Sequence, residues 1–392
     1  MEEFIQENVD DDGVDDAGTI SVGKGEERQQ EEVYPATNIK IDRVQFSIFE
    51  LKRRYDRGNV QLDPEFQRNF VWKTRQKSEL IESVIMGIPL PLIYMAETME
   101  GNLVIVDGRQ RLTTFFSYLN NDFAINGLRI LPELNGYKFE DLEKDEKLRK
   151  FAADIEDFQL VIQIIKYPTP DRVRFDIFDR VNRGGTPLNN QEMRNALYQG
   201  HSTVFLNQLA DREEFKRTTG YSISPTHMKD RYIILRAVTF YLWKEHKLYR
   251  KDGNEVKYRS DMEEFLGYGM EQLNRMQDEE RQRLEILFCE VMNSVFVLLG
   301  ADAFRIPTDS GRKRPVSMTL FESLFYFFAL LIESGKQYLG KAIRLAVNEV
   351  MEDSVFLNAL TYNVDSAVHV EERFRIVKEK FEEIADAEQI ID

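Results

Sequence analysis

The 392-residue chain has a single cysteine, few histidines and no long apolar run. Cys289 alone cannot form an internal disulfide, and without a Cys/His ligand spacing no structural zinc site is expected. No stretch of about 18 apolar residues occurs, so no membrane-spanning helix is expected. The residues after Met1 are acidic instead of basic and then apolar, which argues against a signal peptide. Together these absences predict a cytoplasmic protein.

The net charge of −16 is concentrated at the N-terminus. Residues 1–32 contain 12 Asp or Glu and 2 Lys or Arg, a net charge of −10, which leaves −6 for the remainder. Because residues 1–35 have few large apolar side chains, we predict a disordered acidic tail there. A solubilising tail, a partner-binding tail and a DNA-mimicking tail all fit. The remainder favours DNA binding only through a local basic groove, for which the loop Arg312-Lys313-Arg314 is a candidate beside the plainer interpretation of a solvated loop.

The apolar pattern changes character near residue 200. Before that point the pattern predicts strands at 92–96, 103–106 and 158–165 and helices at 46–55, 75–86, 109–120 and 170–181, with a hairpin and then a helix in the charged insertion 123–157. Asn189 and Glu192 fit a capping box that opens a further helix. Beyond residue 201 only helices are predicted, at 202–210, 226–246, 261–275, 279–299, 317–333, 337–351 and 366–387. The fold class is therefore α+β, with an α+β domain at 36–200 that contains a small sheet and a mostly helical domain at 201–392.

The best candidate for a functional site is the turn Asp107-Gly108-Arg109-Gln110-Arg111. A β-branched run predicts a buried strand before it, and an apolar face at Leu112, Phe115, Phe116 and Leu119 predicts a helix after it. The start of a helix favours anions, and arginines supply bidentate phosphate donors. Asp107 could orient an arginine, hold a hydrated cation or activate water. A plain turn with a capping aspartate is the alternative.

Two other arginine-bearing loops have the same two interpretations. Asn182-Arg183-Gly184-Gly185-Thr186 offers backbone N–H groups and a cation to phosphate, or is a tight turn between two helices. Near Arg68, Phe66 and Trp72 could stack on a base, or anchor the edge of the core.

These loops and their neighbours resemble the GmrSD N-terminal domain family over about residues 40–200. The matching residues are Gln67-Arg68, Trp72, Leu80-Ile81-Glu82-Ser83, Gly87-Ile88-Pro89, Val106-Asp107-Gly108-Arg109-Gln110-Arg111-Leu112-Thr113-Thr114, Phe178-Asp179-Arg180-Val181-Asn182-Arg183-Gly184-Gly185-Thr186-Pro187-Leu188 and Gln191-Glu192-Met193-Arg194-Asn195-Ala196-Leu197. A weaker likeness to the helical extension behind this domain covers Phe304-Arg305, Phe321-Glu322 and Arg373-Phe374.

The resemblance implies a ParB/sulfiredoxin-like core, nucleotide binding with hydrolysis in some relatives, and a role in defence against phage DNA. The family motif usually reads Asp-Gly-Gln-Gln-Arg, and Arg109 stands here at the first glutamine. An additional cation should strengthen phosphate binding. If that glutamine positions the attacking water, its loss removes the support for hydrolysis.

The preferred hypothesis is a nucleotide-binding regulatory or sensor subunit of an antiphage or restriction-type system, with a nucleoside triphosphate, alone or with Mg²⁺, as its ligand. Its phosphate-binding residues would be Arg68, Gly108, Arg109, Arg111, Thr113, Asn182, Arg183, Gly184 and Gly185, and its catalytic candidates Asp107, Gln110 and Arg111. One alternative is a nucleic-acid-binding module without nucleotide chemistry. Another is an interaction subunit that docks a partner nuclease or ATPase.

Nuclease activity is not expected from this chain alone. The nuclease half of such systems resembles a His-Asn-His fold, whereas His201, His227, His246 and His369 stand in no such pattern and are predicted as caps or surface residues. A Walker A motif is also absent, since Ser334-Gly335-Lys336 lacks the earlier glycine. No protein-held metal site is predicted.

Overall fold

A computed structural model describes residues 40–62, 72–98, 101–169, 189–307 and 313–387, together with Val173, Arg174, Ile177 and Arg180. The chain divides into two compact units, and the second begins at Asn189. The first unit contains a small mixed sheet, and the described part of the second is almost entirely helical. The predicted α+β fold class is confirmed.

The described part of the first unit is a five-stranded sheet packed against helices. Its elements are β1 Ile41–Ser47, α1 Ile48–Asp56, β2 Val60–Gln61, α2 Thr74–Ile85, β3 Ile93–Glu97, β4 Leu103–Asp107, α3 Arg109–Leu119, α4 Phe139–Lys144, α5 Arg149–Asp157 and β5 Gln159–Ile165. The strand order is β1-β5-β3-β4-β2. β1 with β5 and β3 with β4 pair antiparallel, while β3 with β5 and β2 with β4 pair parallel.

One face of this sheet forms the core of the first unit. Ile93, Met95, Ile105 and Ile162 of the sheet are fully buried in the same cluster as Leu112 and Phe115 of α3. The apolar face predicted for the helix after Gly108 is therefore confirmed. By packing this face on the sheet, α3 holds its first turn at the end of β4.

Two sequence-based expectations for the first unit were incomplete or wrong. Residues 41–47 form a strand that was not predicted, and Ser47 ends it by capping α1, where its Oγ accepts a hydrogen bond from the Glu50 N–H at 3.1 Å. The hairpin predicted in the insertion 123–157 is absent, because the described segment contains a 3₁₀ turn at Pro132–Leu134 and two short helices. The buried carboxylate of Glu82 on α2 holds the insertion by accepting the N–H groups of Ile130 and Leu131, both at 2.9 Å.

The second unit is built from helices around an aromatic-rich core. They are α6 Asn190–Leu197, α7 His201–Asp211, α8 Glu213–Thr218, α9 Lys229–Lys244, α10 Met262–Arg275, α11 Asp278–Leu299, α12 Met318–Glu333, α13 Gly340–Glu352, α14 Ser354–Thr361 and α15 Ala367–Ala387. The predicted helices of this region are present, while the short α8 and α14 were not predicted. α9 and α12 are buried around most of their circumference, which is typical of helices at the centre of a bundle.

The most apolar helix, α12, belongs to this core. In the part of the chain that the structure describes, no helix is both long and apolar enough to cross a membrane.

Candidate functional site

The turn between β4 and α3 requires a glycine at position 108. Gly108 has a φ of +92°, and a Cβ placed there would lie 2.9 Å from Ile93 Cγ1 and 3.2 Å from Arg111 Nη2. Gly108 is the N-cap residue of α3 and has no side chain that could accept a hydrogen bond from the first N–H groups of the helix. The sequence-based interpretation of Gly108 as a turn glycine agrees with this geometry.

Arg111 fastens the first turn of α3 to the chain segment before β3. Its guanidinium donates to the carbonyl oxygen of Pro91, to that of Leu92 at 3.0 Å and to Asp107 Oδ2 at 3.0 Å. Burial lowers the pKa of Arg111 from its ordinary value, and the charge of Asp107 opposes that shift. The guanidinium of Arg111 thus donates three hydrogen bonds within the protein, so its first role is to hold the turn in place.

Asp107 and Arg109 are also engaged within the turn. The side chain of Asp107 is 34% exposed, and its contact with Arg111 is one of the roles considered for it from the sequence. Arg109 is only 4% exposed, and its Nε donates to the carbonyl oxygen of Ile105 at 3.1 Å. The guanidinium of Arg109 therefore lies under the turn rather than on its surface.

Gln110 and Thr113 present unsatisfied polar atoms on the same side of α3. Gln110 Oε1 and Thr113 Oγ1 are buried, and neither forms a hydrogen bond with another described residue. The two residues are three positions apart, so their side chains are neighbours on the helix surface. A buried polar atom without a partner costs about 1–3 kcal/mol, which a water or ligand atom at this place would relieve.

The other predicted phosphate-binding residues lie outside the described part of the chain. These are Arg68, Asn182, Arg183, Gly184 and Gly185. The convergence of three arginine-bearing loops into one anion site therefore stays a prediction. The capping box that follows the second of these loops is present: Asn189 Oδ1 accepts the Glu192 N–H at 2.8 Å, and Glu192 Oε2 accepts the Asn189 N–H at 2.9 Å.

The sequence patterns assign Pro91 and Leu92 no part in the site and place Leu92 only at the start of the strand predicted at 92–96. Their carbonyl oxygens hold Arg111, but a backbone acceptor leaves no signature in side-chain identity, so the sequence had no signal for this contact. Among the described residues, no group of three or more His, Cys, Asp or Glu side chains is placed to hold a metal ion.

Comparison with known proteins gives one result for the segment that contains this turn. Residues 48–199 match the family model described as GmrSD restriction endonuclease, N-terminal domain. The match confirms the resemblance drawn from the sequence motifs and includes β4, Gly108 and the whole of α3. No curated protein and no solved structure matched the chain.

Proposed function

We propose that this chain is a component of a restriction-type defence system. The support is the family match over residues 48–199, whose description names a restriction endonuclease. Because the four histidines of the sequence stand in no nuclease pattern, DNA cleavage is assigned in this proposal to a partner subunit.

Within that role, we propose that the start of α3 binds the phosphates of a nucleoside triphosphate. The observation that carries this proposal is a pair of buried polar atoms, Gln110 Oε1 and Thr113 Oγ1, which have no hydrogen-bond partner among the described residues. The Thr113 hydroxyl can donate to a phosphate oxygen, and Gln110 can donate through its backbone N–H and amide while its Oε1 accepts from water. The helix dipole favours an anion here, and Gly108 lets that anion approach the backbone closely.

Arg111 and Asp107 serve this site by keeping its geometry. Arg111 joins the carbonyl oxygens of Pro91 and Leu92 to α3, and Asp107 fixes the orientation of the guanidinium. The positive charge of Arg111 still contributes to the local potential, because a partly buried charge is screened less than an exposed one. A bound Mg²⁺ would come with the phosphates and their water ligands, in keeping with its reluctance to lose water.

Isothermal titration of the full chain with each of the four nucleoside triphosphates, with and without Mg²⁺, tests the proposal. We expect at least one to bind, and we expect Gln110→Leu and Thr113→Val each to raise its Kd by roughly threefold to tenfold, the equivalent of one hydrogen bond. Thr114→Val is the matched control, because the Thr114 hydroxyl donates to the Gln110 carbonyl oxygen at 2.8 Å within the helix and is not offered to a ligand.

Absence of heat with all four nucleotides, at protein concentrations that would detect a millimolar Kd, contradicts the proposal. Salt-dependent binding of duplex DNA by a chain that ignores nucleotides would instead support the nucleic-acid-binding alternative.

A further inference from the structure

A row of polar side chains crosses the sheet and ends at the candidate site. In the strand register Arg43 of β1 is opposite Gln163 of β5, Gln163 is opposite Tyr94 of β3, and Tyr94 is opposite Asp107 of β4. Directly opposed residues on neighbouring strands project from the same face of a sheet. These four side chains therefore form one row, which we call the polar row, and its last member directly precedes Gly108.

A register shift brings Asp107 into this row. Between Tyr94 and Met95 the pairing with β4 slips, so that Met95 is opposite Ile105 whereas Tyr94 is opposite Asp107. Without the shift Tyr94 would face Val106. Bulges of this kind often redirect a side chain next to a functional site. The irregularity thus continues the polar row to the start of α3.

The neighbouring row on the same face has the opposite character. Two positions further along β1, β5 and β3, and three along β4 because of the register shift, the register places Ile41, Ile165, Ala96 and Val104 opposite one another. Of these, Ile165, Ala96 and Val104 are buried. Arg43, by contrast, is exposed, and Gln163 and Tyr94 are half-buried. The polar row is therefore accessible, whereas this neighbouring row is mainly buried and apolar.

Three side chains of the polar row have no partner among the described residues. There the side chains of Arg43, Gln163 and Tyr94 enter no hydrogen bond, ion pair or ring contact. Half-buried polar groups are usually paired, so Gln163 and Tyr94, which are unpaired among the described residues, indicate a place for a ligand beside the start of α3.

The dimensions and chemistry of the polar row suit a nucleoside. Neighbouring strands are about 4.8 Å apart, so the row extends about 14 Å from Asp107 to Arg43. A tyrosine ring stacks on any nucleobase, a glutamine amide both donates to and accepts from a base edge, and an arginine donates two parallel hydrogen bonds or stacks. Tyr94 is the nearest of the three to the phosphate-binding turn, and Gln163 and Arg43 follow.

We propose that Tyr94, Gln163 and Arg43 bind the nucleoside part of the nucleotide whose phosphates lie at the start of α3. This inference rests on the proposed function and adds to it the residues that hold the base. Tyr94 packs against the nucleoside, Gln163 contacts the polar edge of the base, and Arg43 closes the outer end of the site. Discrimination between bases is therefore set by Gln163 and Arg43, and affinity for every nucleotide by Tyr94.

The test compares two ligands by isothermal titration with the full chain: the nucleoside triphosphate that binds best, and inorganic tripolyphosphate, which has no base. We expect Tyr94→Ala to raise the Kd of the nucleotide on the order of tenfold, the equivalent of one base stacked on an aromatic ring. Tyr94→Phe keeps the ring and should leave the Kd within about twofold. Neither substitution should change the Kd of tripolyphosphate.

Gln163→Leu should reduce the ratio of Kd values between the preferred and the other nucleotides to about one. The matched control is Gln159→Leu, on the same strand and the same face but about 13 Å away, where the amide already donates to the Asp157 carbonyl oxygen at 2.9 Å. Arg43 is at an exposed strand position, so Arg43→Gln should not disturb folding. This variant can therefore be measured even if the Tyr94→Ala chain fails to fold. It should raise the Kd of the nucleotide roughly threefold to tenfold and leave that of tripolyphosphate unchanged.

The outcomes separate this inference from the proposed function. If a nucleotide binds and its Kd is unchanged by Tyr94→Ala, Gln163→Leu and Arg43→Gln, nucleoside binding by the polar row is overturned. Phosphate binding at α3 would still stand. If the same variants raise the Kd of tripolyphosphate as much as that of the nucleotide, the row acts on phosphates and the assignment of the base is overturned. If neither ligand binds the parent chain, the proposed function fails, and the nucleoside assignment fails with it.

Discussion

At the scale of single residues, the β4–α3 turn depends on a few backbone requirements. Gly108 combines a left-handed φ with close packing against Ile93 and Arg111, so both the backbone conformation and the available space demand glycine. Arg111 was predicted from the sequence as a phosphate ligand, and its charge and position justified that interpretation. Its hydrogen bonds to two backbone carbonyl oxygens could not be read from residue types, because any residue supplies such an acceptor.

Gly108→Ala should lower the free energy of unfolding by about 2–4 kcal/mol, the sum of a strained left-handed backbone and of overpacking against Ile93. Gly127→Ala is the matched control, since Gly127 has a φ of +75° with nothing within 4 Å of the added Cβ. It should cost only the backbone part, about 1 kcal/mol. Urea denaturation of both variants gives the comparison. An equal decrease in the free energy of unfolding for the two variants would show that the contacts around position 108 do not disfavour the added Cβ.

At the scale of secondary-structure elements, the local patterns in the sequence predicted most helices and strands of the first unit, but they did not predict the conformation of the segment that connects α3 to β5. Helices α2 and α3 and strands β3, β4 and β5 follow the apolar periodicity of their own residues, and they were predicted within a residue or two at most ends. β1 alternates polar and apolar residues only from Arg43 onwards, so the signal for this strand was short, and the strand was not predicted.

The insertion was mispredicted for a different reason. Its conformation is fixed by α2, about 48 positions earlier in the chain, through Glu82 and through Ser78, whose Oγ accepts the Asn126 N–H at 2.9 Å. Contacts of such sequence separation leave no trace in a local hydrophobic pattern. A pair of buried polar residues on an otherwise amphipathic helix was the only available hint.

Glu82→Ala should release the insertion from α2. The substitution leaves the Ile130 and Leu131 N–H groups without their acceptor, and we expect a loss of about 2 kcal/mol in the free energy of unfolding. Hydrogen–deuterium exchange should become faster at these two amides. Glu79→Ala, one turn earlier on the exposed side of α2, is the control and should change stability by less than about 0.5 kcal/mol. Unchanged exchange at Ile130 and Leu131 in the Glu82 variant would contradict this role.

At the scale of the whole molecule, the sequence predicted the fold class and the match of residues 48–199 to the model of the GmrSD restriction endonuclease N-terminal domain. The change from mixed to helical structure could be predicted because strand-type alternation ends before the second unit begins. The polar row could not be predicted, since it depends on the order of the strands and on a register shift that sets Asp107 opposite Tyr94. Arg43, Gln163 and Tyr94 are far apart in the sequence and belong to no common motif.

The described helices of the second unit enclose a charged cluster within an apolar core. Glu322 is fully buried and accepts hydrogen bonds from Arg236 at 2.8 Å and from Arg373 at 2.6 Å, while Asp365 pairs with Arg236 at 2.9 Å. Burial lowers the pKa of Arg236, but Asp365 and Glu322 together raise it well above its ordinary value. The four charges cancel, which explains how so many ionised groups are accommodated between apolar helices.

Nucleotide binding at the first turn of α3 should protect the backbone amides of that turn from exchange. Hydrogen–deuterium exchange of the full chain, with and without the nucleoside triphosphate that binds best, tests it most directly. We expect slower exchange at the amides of Gln110 and Arg111 when the nucleotide is present, with no change in the buried helix α9. A nucleotide that binds with measurable heat and leaves exchange at Gln110 and Arg111 unaltered would contradict it.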